Sequence, residues 1–546
     1  MSPCFLHRGL KENSLVFLLI GGVYAMALPA IPLEPDSAQY ASISREMAET
    51  GEFIRVQHRG QDYLDKPPLL FWMGALWFKI FGASPLTWHL STVPAMVALV
   101  AGLRRLYFLH GVPPHTLPIV LALCLGSPAC LLMFYDVRCE LWLTVFCVWA
   151  WVGINQFLAE GHLKFALLAG LTTGGALLSK GMVALLFLAP YGLYQLVLRP
   201  GSLKKMLRLL LIGIPVALLC VAPHLLGLWQ AFGPWGWKFF FWVQSFGRIT
   251  GENVWRNDPD PFFLWHTALW AFAPAVWAIL GHLCAPQPDQ NGPRKGPLIM
   301  ALAVLLAFSL SRYQLPHYIF PVAPWIAWAC GPSINSSSRL PARLALLAGL
   351  AIFSVVTLIT LLFIEELSIP RRLLGLAWLL CLAFSVWIIN KNATHRMWYL
   401  SVLFSAGAGG IAMGVFYPAL RPFRAGVQVA FALRNKENAA LVTYRWASHE
   451  LDFLYNKAIP VFEHPDPLFN HIYNKIHKTG KIPYVALKKG DFTTLRKRFF
   501  NVAETRICFA TPYFHTSQLN FNFLNPTTRK ANVDSIIMVK LRFYGN

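Results

Sequence analysis

Residues 33–40 read Leu33-Glu34-Pro35-Asp36-Ser37-Ala38-Gln39-Tyr40, and residues 63–69 read Tyr63-Leu64-Asp65-Lys66-Pro67-Pro68-Leu69. Both runs follow the first long apolar segment of the chain. The first predicted membrane span is therefore followed directly by carboxylates, tyrosines, a lysine and paired prolines. Transmembrane pores rarely begin in this way. The two runs predict a binding or catalytic site at the boundary between lipid and water.

The composition is that of a membrane protein. Of 546 residues, 56% are apolar, 13% are charged and 20 are tryptophan, and the mean hydropathy is +0.49. Because a bilayer requires about 20 apolar residues per helix, the pattern predicts a polytopic α-helical membrane protein with about thirteen transmembrane helices. The predicted spans are 15–33, 86–103, 116–134, 141–158, 164–179, 181–198, 207–228, 262–282, 298–311, 315–331, 343–364, 373–389 and 397–417.

The short loops carry most of their basic residues on one face. Arg104 and Arg105 follow the second span and Lys204 and Lys205 precede the seventh, whereas the acidic loop 34–65 falls on the opposite face. Cytoplasmic loops are enriched in Lys and Arg, so the N-terminus is predicted to be cytoplasmic. An odd number of spans then places the C-terminus outside the cytoplasm.

The first span could instead be a cleavable signal peptide, since Arg8 and Lys11 precede an apolar run that ends near Ala27. The apolar run extends to about Leu33, which is longer than the usual core of such a peptide. Cleavage would also remove the helix that brings Asp36 to the membrane. We therefore expect this helix to be retained.

The sequence predicts two domains, 1–418 in the membrane and 419–546 outside it. The first outer loop, 34–85, is predicted to hold two interfacial helices, 37–50 and 67–81. In the C-terminal region, strands are predicted at 440–444, 459–463, 483–487 and 535–543, and helices at 448–457 and 468–478, which is typical of a small α/β domain.

From Arg421 onward the chain has 19 Lys and Arg residues against 8 Asp and Glu residues. A solvated surface beside anionic lipid headgroups would explain this charge, and so would recruitment of an anionic, phosphorylated acceptor. Nucleic acid is not expected as a partner on this face.

Candidate catalytic residues lie at two acidic positions near span ends. Asp36 follows the first span, although a helix N-cap would also explain an aspartate there. Glu140 opens an apolar span, where an unpaired carboxylate is costly, so a cavity or a cation is expected beside it. A plain interfacial carboxylate remains an alternative for Glu140, and Asp136 is the fallback for the second acidic site.

Candidate binding residues are cationic or aromatic and lie on the same predicted face. Lys66 and Lys180 suit a phosphate, although Lys180 could simply extend to the interface. Arg248 follows an aromatic run, Trp235 to Phe246, that membrane anchoring alone would explain. Tyr40, Tyr63 and Tyr318 complete the candidate set. His317 is interpreted as a polar interface residue, because no second metal ligand is spaced for it.

In their order, these motifs resemble the bacterial GT-C-type glycosyltransferases of the protein-mannosyltransferase-like superfamily, most closely the lipid A aminoarabinose transferases. The matching positions are Asp36 with Tyr40, the run 63–68, Glu140 with Leu143 and Phe146, the run 179–181, the run 239–242 with Arg248, and Leu315-Pro316-x-Tyr318. The resemblance covers nearly the whole chain.

The resemblance implies transfer of a sugar from undecaprenyl phosphate to lipid A at the periplasmic side of the bacterial inner membrane. In that family the first-loop acidic residue is essential, and this maps to Asp36. The family also has a Glu at the position of Asp65 and a His in the aromatic loop as metal ligands, where this chain has Val243-Gln244-Ser245. A divalent metal ion, with Asp65 as its candidate ligand, is therefore left open.

Two other functions fit parts of the pattern. A transferase of the same fold could glycosylate protein or another cell-envelope glycan. A membrane transporter would also have many spans, but transporters place charged or broken helices near the membrane midplane and show internal repeats. Here the candidate residues gather at one face, and no repeat is apparent.

The loop charges generate a prediction about topology. Alkaline phosphatase is active only outside the cytoplasm, so a fusion after Asn546 should be active and a fusion after Arg105 inactive. Activity of the Arg105 fusion would overturn the predicted orientation.

Overall fold

The computed structural model describes residues 3–252, 257, 260–285, 295–364, 368–391, 393–436, 439–476, 479–515 and 519–544. Up to residue 419 the described chain is helical apart from one small hairpin. Its principal helices are Pro3–Ala27, Asp36–Thr50, Leu69–Phe81, Pro85–Leu90, Val93–Leu109, Leu117–Leu125, Pro128–Tyr135, Cys139–Glu160, Leu163–Lys180, Leu185–Leu198, Leu203–Phe232, Pro234–Lys238, Phe263–Ala271, Ala275–Leu283, Lys295–Ser309, Ala323–Cys330, Leu340–Phe363, Ser368–Asn390 and Thr394–Ile411.

Seven helical segments of the described chain are long and apolar enough to cross a membrane, or nine if each of two bent helix pairs forms one span. The bends are 51° after Leu125 and 103° after Ala271. Three shorter apolar helices are Ser14–Ala27, Leu69–Phe81 and Lys295–Ser309. A polytopic helical fold is therefore confirmed, whereas the number thirteen stays a prediction because several predicted spans consist of short or broken helices.

The helices Cys139–Glu160 and Leu163–Lys180 form a tight antiparallel hairpin. Gly161, with φ +76°, ends the first helix in a left-handed conformation that glycine adopts readily. Gly175 faces the Phe146 ring, where an added Cβ would lie 2.5 Å from ring carbon, so only glycine allows the two helices to approach this closely. The hairpin places the start of its first helix beside the end of its second.

Residues 34–85, the predicted first outer loop, contain the two predicted helices. Its two helices are Asp36–Thr50 and Leu69–Phe81, close to the predicted 37–50 and 67–81. Between them is a hairpin of the short strands Gln57–His58 and Gln61–Asp62, which the sequence analysis did not predict.

The C-terminal region contains a five-stranded mixed sheet. Its strands, in spatial order, are Val461–Phe462, Ala439–Tyr444, Ile482–Lys488, Asp534–Phe543 and Ala503–Tyr513. The first three are parallel, and the last two join antiparallel. Helices include Ala425–Leu433, His449–Leu454, Pro465–His471 and Phe492–Phe499.

One strand of this sheet, Ala503–Tyr513, was absent from the predicted set. It lies at the sheet edge, and its register shifts between Ile507 and Phe509, so its apolar residues do not alternate regularly. The predicted helix 448–457 is shorter in the structure, where it ends at Leu454.

The C-terminal region packs directly on the first outer loop. Buried Arg424 pairs with Glu450 at 2.8 Å and donates hydrogen bonds to the carbonyl oxygens of Ile31 and Pro32. Glu34 accepts a 2.6 Å hydrogen bond from the Ser448 hydroxyl and another from the Glu450 amide. Residues more than 390 positions apart are thereby joined beside the start of the Asp36 helix.

This contact should weaken as the pH rises. Burial, and then the neighbouring Glu450 carboxylate, raise the pKa of Glu34 to about 7. The folded state therefore binds a proton that the unfolded chain releases near pH 4.5, so the free energy of unfolding should fall as the pH rises towards 7 and then level off. Relative to the intrinsic exchange rate, which itself rises with pH, amides 448–454 should be less protected from hydrogen exchange at pH 8 than at pH 6, and Glu34→Gln should abolish that loss of protection. An unchanged pH dependence in Glu34→Gln would assign the effect to another group.

Candidate functional site

A cavity of about 330 Å³ lies between the first outer loop and the open end of the 139–180 hairpin. Eight predicted residues line it, namely Asp36, Tyr40, Tyr63, Asp65, Lys66, Glu140, Lys180 and Tyr318. Asp136 lies in the wall of a neighbouring cavity. The Arg248 side chain is outside the described residues. The structure thus brings together residues from five separate stretches of the chain.

Arg138 connects the two acidic positions. Its Nη1 pairs with Asp36, and its Nε lies 2.6 Å from Asp136 Oδ2. Asp36 is the first residue of its helix, where the positive end of the helix dipole favours a carboxylate. Pro35 is the N-cap and no side-chain cap bond is formed, so a capping role does not account for Asp36.

The second acidic position is neutralised across the hairpin. Glu140 lies in the first turn of its helix and pairs with Lys180, the last residue of the antiparallel helix. Both side chains are at least 93% buried. Helix dipoles favour a carboxylate at the first position and an ammonium at the second. The cation expected beside Glu140 is therefore Lys180.

Gly181 holds Lys180 in this place. With φ +63° it ends the helix abruptly, and the Lys180 ammonium lies 4.0 Å from the centre of the Tyr318 ring, which supports a cation–π interaction. The Ser-Lys-Gly sequence thus positions an ammonium group at the cavity wall.

Tyrosines and a third ion pair complete the cavity. Lys66 pairs with Asp65 just ahead of the helix Leu69–Phe81. The Tyr63 hydroxyl lies 3.4 Å from Gln39 Oε1. Burial, together with nearby carboxylates, raises the pKa of Tyr40 and Tyr63 well above the ordinary value, so both phenols stay protonated and can donate hydrogen bonds.

The residues at Asp65 do not fit a metal ion. The Asp65 carboxylate pairs with Lys66, and the aromatic loop presents Gln244, whose amide donates to the Asp65 carbonyl oxygen. Asp65 belongs to no group of three or more potential metal ligands among the described residues, and a carboxylate that already holds an ammonium group is a poor metal ligand. We therefore assign Asp65 to the ion-pair network.

A second cavity, of about 540 Å³, adjoins the first. Asp136, Arg138, Trp270 and Tyr417 line the second cavity, whereas Asp36 and His317 line both. Burial raises the pKa of Asp136, although Arg138 opposes the shift. Asp36 therefore lines both cavities. This geometry would allow two substrates to reach the same carboxylate.

Two residues of this site were missed by the sequence analysis. Arg138 lies between the candidates Asp136 and Glu140, but nothing in the sequence shows that it reaches Asp36, 102 positions away. His317 was interpreted as an interface residue, yet its Nε2 lies 3.5 Å from Glu140 Oε1 and 3.4 Å from Arg138 Nη1. The sequence signal that could have identified His317 is a polar side chain directly after a proline at the end of a predicted span.

His449 also lines the first cavity and approaches His58 of the loop hairpin, with ring centres 5.0 Å apart. Burial lowers the pKa of His58 to about 4 and that of His449 to about 3. Both imidazoles are neutral at physiological pH.

Removal of the shared cation should destabilise the fold. Arg138→Met leaves Asp36 and Asp136 partly buried without their guanidinium, at a cost of about 3 kcal/mol or more. Thermal unfolding in detergent should shift down by several degrees, and Asp136→Asn in the same chain should restore part of the loss. Arg55→Met, which breaks a more exposed Arg–Asp pair of the first loop, is the matched control and should cost under about 1 kcal/mol. Equal losses in the two single variants would contradict the assigned role of Arg138.

Comparison with known proteins agrees with this architecture. The family described as dolichyl-phosphate-mannose-protein mannosyltransferase matches residues 65–227. The undecaprenyl phosphate-alpha-4-amino-4-deoxy-L-arabinose arabinosyl transferase of Shewanella sediminis is 26% identical over 405 residues, 70% of each chain. The protein of the same name from Pseudomonas paraeruginosa is 28% identical over 359 residues, 61% of each chain.

A solved structure extends the likeness to nearly the whole fold. ArnT from Cupriavidus metallidurans, bound to undecaprenyl phosphate, superimposes with a TM-score of 0.72, covering 96% of this chain and 97% of ArnT at 16% identity. At that identity the match concerns the fold, and the sequence relatives independently point the same way. The chain shares the polytopic fold of ArnT and is similar, over most of its length, to the arabinosyl transferase of Shewanella sediminis.

Proposed function

We propose that this protein is a membrane-embedded glycosyltransferase that moves an aminoarabinose-like sugar from undecaprenyl phosphate to lipid A. The observation that carries the proposal is the position of Asp36, which lies in the wall between two cavities and is held there by Arg138. The names of the relatives agree with this donor and this sugar.

The first cavity suits the donor because its cations can hold a phosphate. Lys66 and Lys180 both line it, and each is paired with a carboxylate that a phosphate oxygen can replace. When the bond between sugar carbon and phosphate oxygen breaks, the oxygen keeps the electron pair and the leaving phosphate gains charge. Fixed ammonium groups stabilise that charge.

Charge balance favours an amino sugar. Three carboxylates line the first cavity, and their cationic partners are Lys66, Lys180 and the Arg138 guanidinium, which Asp36 shares with Asp136. A donor with a negative phosphate and a positive amino group adds no net charge to this network. Its phosphate can pair with the ammonium groups while its own ammonium pairs with the carboxylates they release. A neutral sugar would leave a carboxylate without a partner.

The second cavity suits the acceptor. An acceptor oxygen entering it meets Asp36 from the side opposite the donor. If that oxygen belongs to a hydroxyl, Asp36 takes its proton as general base while the oxygen bonds to the sugar carbon. If it belongs to a lipid A phosphate it is already ionised, and Asp36 with Arg138 orients it without proton transfer.

The proposal includes the topology and the domain division. The N-terminus is cytoplasmic, the cavities face the periplasm, residues 1–418 form the membrane domain and residues 419–546 form a periplasmic α/β domain of the inner-membrane protein. Contacts of Arg424 and Ser448 with the first loop support placement of both regions on one face. The basic surface of the C-terminal region would attract anionic lipid or lipid A.

The decisive experiment uses purified full-length protein, undecaprenyl-phosphate-linked aminoarabinose and lipid A. Undecaprenyl phosphate should be released only when both substrates are present. Asp36→Asn should lower the rate by about 100-fold or more, since proton transfer and orientation both depend on the carboxylate. Glu49→Gln, on the exposed side of the same helix, should leave the rate unchanged.

Other outcomes discriminate between the alternatives. Near wild-type turnover in Asp36→Asn would refute the catalytic assignment. If turnover occurred only with protein or another glycan as acceptor, the proposed transfer reaction would stand but the assignment of lipid A as acceptor would be wrong. Solute movement across proteoliposomes without consumption of the lipid donor would establish a transporter instead.

A further inference from the structure

Three potential metal ligands meet where the first loop touches the C-terminal region. His58 belongs to the loop hairpin, and His449 and Asp452 belong to the helix His449–Leu454. One ligand atom from each lies within 4.8 Å of the other two. Among the described residues this is the one such group of three or more.

Each of the two histidines has one ring nitrogen that lacks a hydrogen-bond partner. His58 Nε2 and His449 Nδ1 are both buried from solvent without a hydrogen bond in the described structure. A buried polar atom that forms no hydrogen bond costs free energy, so such atoms usually have a partner. Two neutral imidazole nitrogens, close together and unsatisfied, are a ready pair of ligands for a transition metal.

Arg59 supplies the positive charge beside Asp452. Its guanidinium lies 2.6 Å from Asp452 Oδ2, and Asp452 Oδ1 accepts a hydrogen bond from the Ile459 amide. The Arg59 and Gly60 amides are separately bound by Glu46, each at 2.7 Å. The hairpin tip therefore stays anchored to the helix Asp36–Thr50 even when the Arg59 side chain leaves Asp452.

We propose that His58, His449 and Asp452 form a binding site for a divalent transition-metal ion of the zinc type. Two imidazole nitrogens and one carboxylate oxygen suit Zn²⁺, which takes three protein ligands where a fourth position stays open. In a tetrahedral zinc site with bonds of roughly 2.1 Å, two ligand atoms lie roughly 3.4 Å apart. The present spacing of up to 4.8 Å therefore requires a closure of roughly 1.4 Å.

The site would fasten the C-terminal region to the first loop. The ion displaces the Arg59 guanidinium from Asp452 and joins residues nearly 400 positions apart in the sequence. Because His449 also lines the first cavity, bound metal would fix one wall of that cavity. This inference goes beyond the proposed function and does not depend on it.

The test is metal binding by full-length protein in detergent after treatment with a chelator. Titration with Co²⁺ should give one equivalent bound, with visible absorption typical of a site containing nitrogen ligands. His58→Asn and His449→Asn should each weaken Co²⁺ binding by about 100-fold. Zn²⁺ should displace the Co²⁺ and slow proteolytic release of the C-terminal region.

Two further variants make the result decisive. His464→Asn, which removes an exposed histidine of the same region, should bind Co²⁺ like the unaltered protein. Arg59→Gln should bind Co²⁺ more tightly, because the competing guanidinium is gone. Absence of stoichiometric binding in the unaltered protein, or equal binding in the His58→Asn and His464→Asn variants, would overturn the proposal. If one histidine variant fails to fold, the other, together with Arg59→Gln, decides.

Discussion

The Arg138 guanidinium is the interaction on which the rest of the site depends. It holds Asp36 from the first loop and Asp136 from the end of a bent helix pair, and it lies beside His317 from a third segment. In a poorly hydrated region, two carboxylates near each other repel and tend to be protonated unless a cation separates them. A single arginine provides that charge with fixed geometry, because its planar group donates in several directions at once. The wall between the two cavities is the result.

Around this centre, charge is neutralised pairwise across elements that are distant in sequence. Lys180 forms an ion pair with Glu140 across a helical hairpin, and Lys66 forms one with the adjacent Asp65. Where the C-terminal region meets the loop, Arg424 forms an ion pair with Glu450. Breaking such buried pairs is costly, whereas exchanging one partner for a substrate group of the same sign is not. An active site built from exchangeable ion pairs can thus remain stable while empty and still receive a charged substrate.

The sequence predicted individual site residues better than it predicted their partners. Asp36, Glu140 and Lys180 were recognisable because a charge at the end of an apolar span requires a reason. Arg138 and His317 were not, since only the tertiary fold brings them to Asp36 and Glu140. In the C-terminal sheet the regular strands were predicted, but Ala503–Tyr513 was not, because a bulge and an exposed edge remove the alternation on which strand prediction relies.

The tight turn at Gly161 has a consequence for how this protein can change in evolution. Glu140 and Lys180 meet because the two arms of the hairpin have matched lengths, and each residue inserted into a helix adds about 1.5 Å and turns everything beyond it by about 100°. A single insertion or deletion in either arm would carry one charge away from the other and leave Glu140 without its buried ammonium partner. These two helices can therefore exchange many side chains but cannot change in length without separating the pair, a restriction that does not apply to the loops that close the cavities.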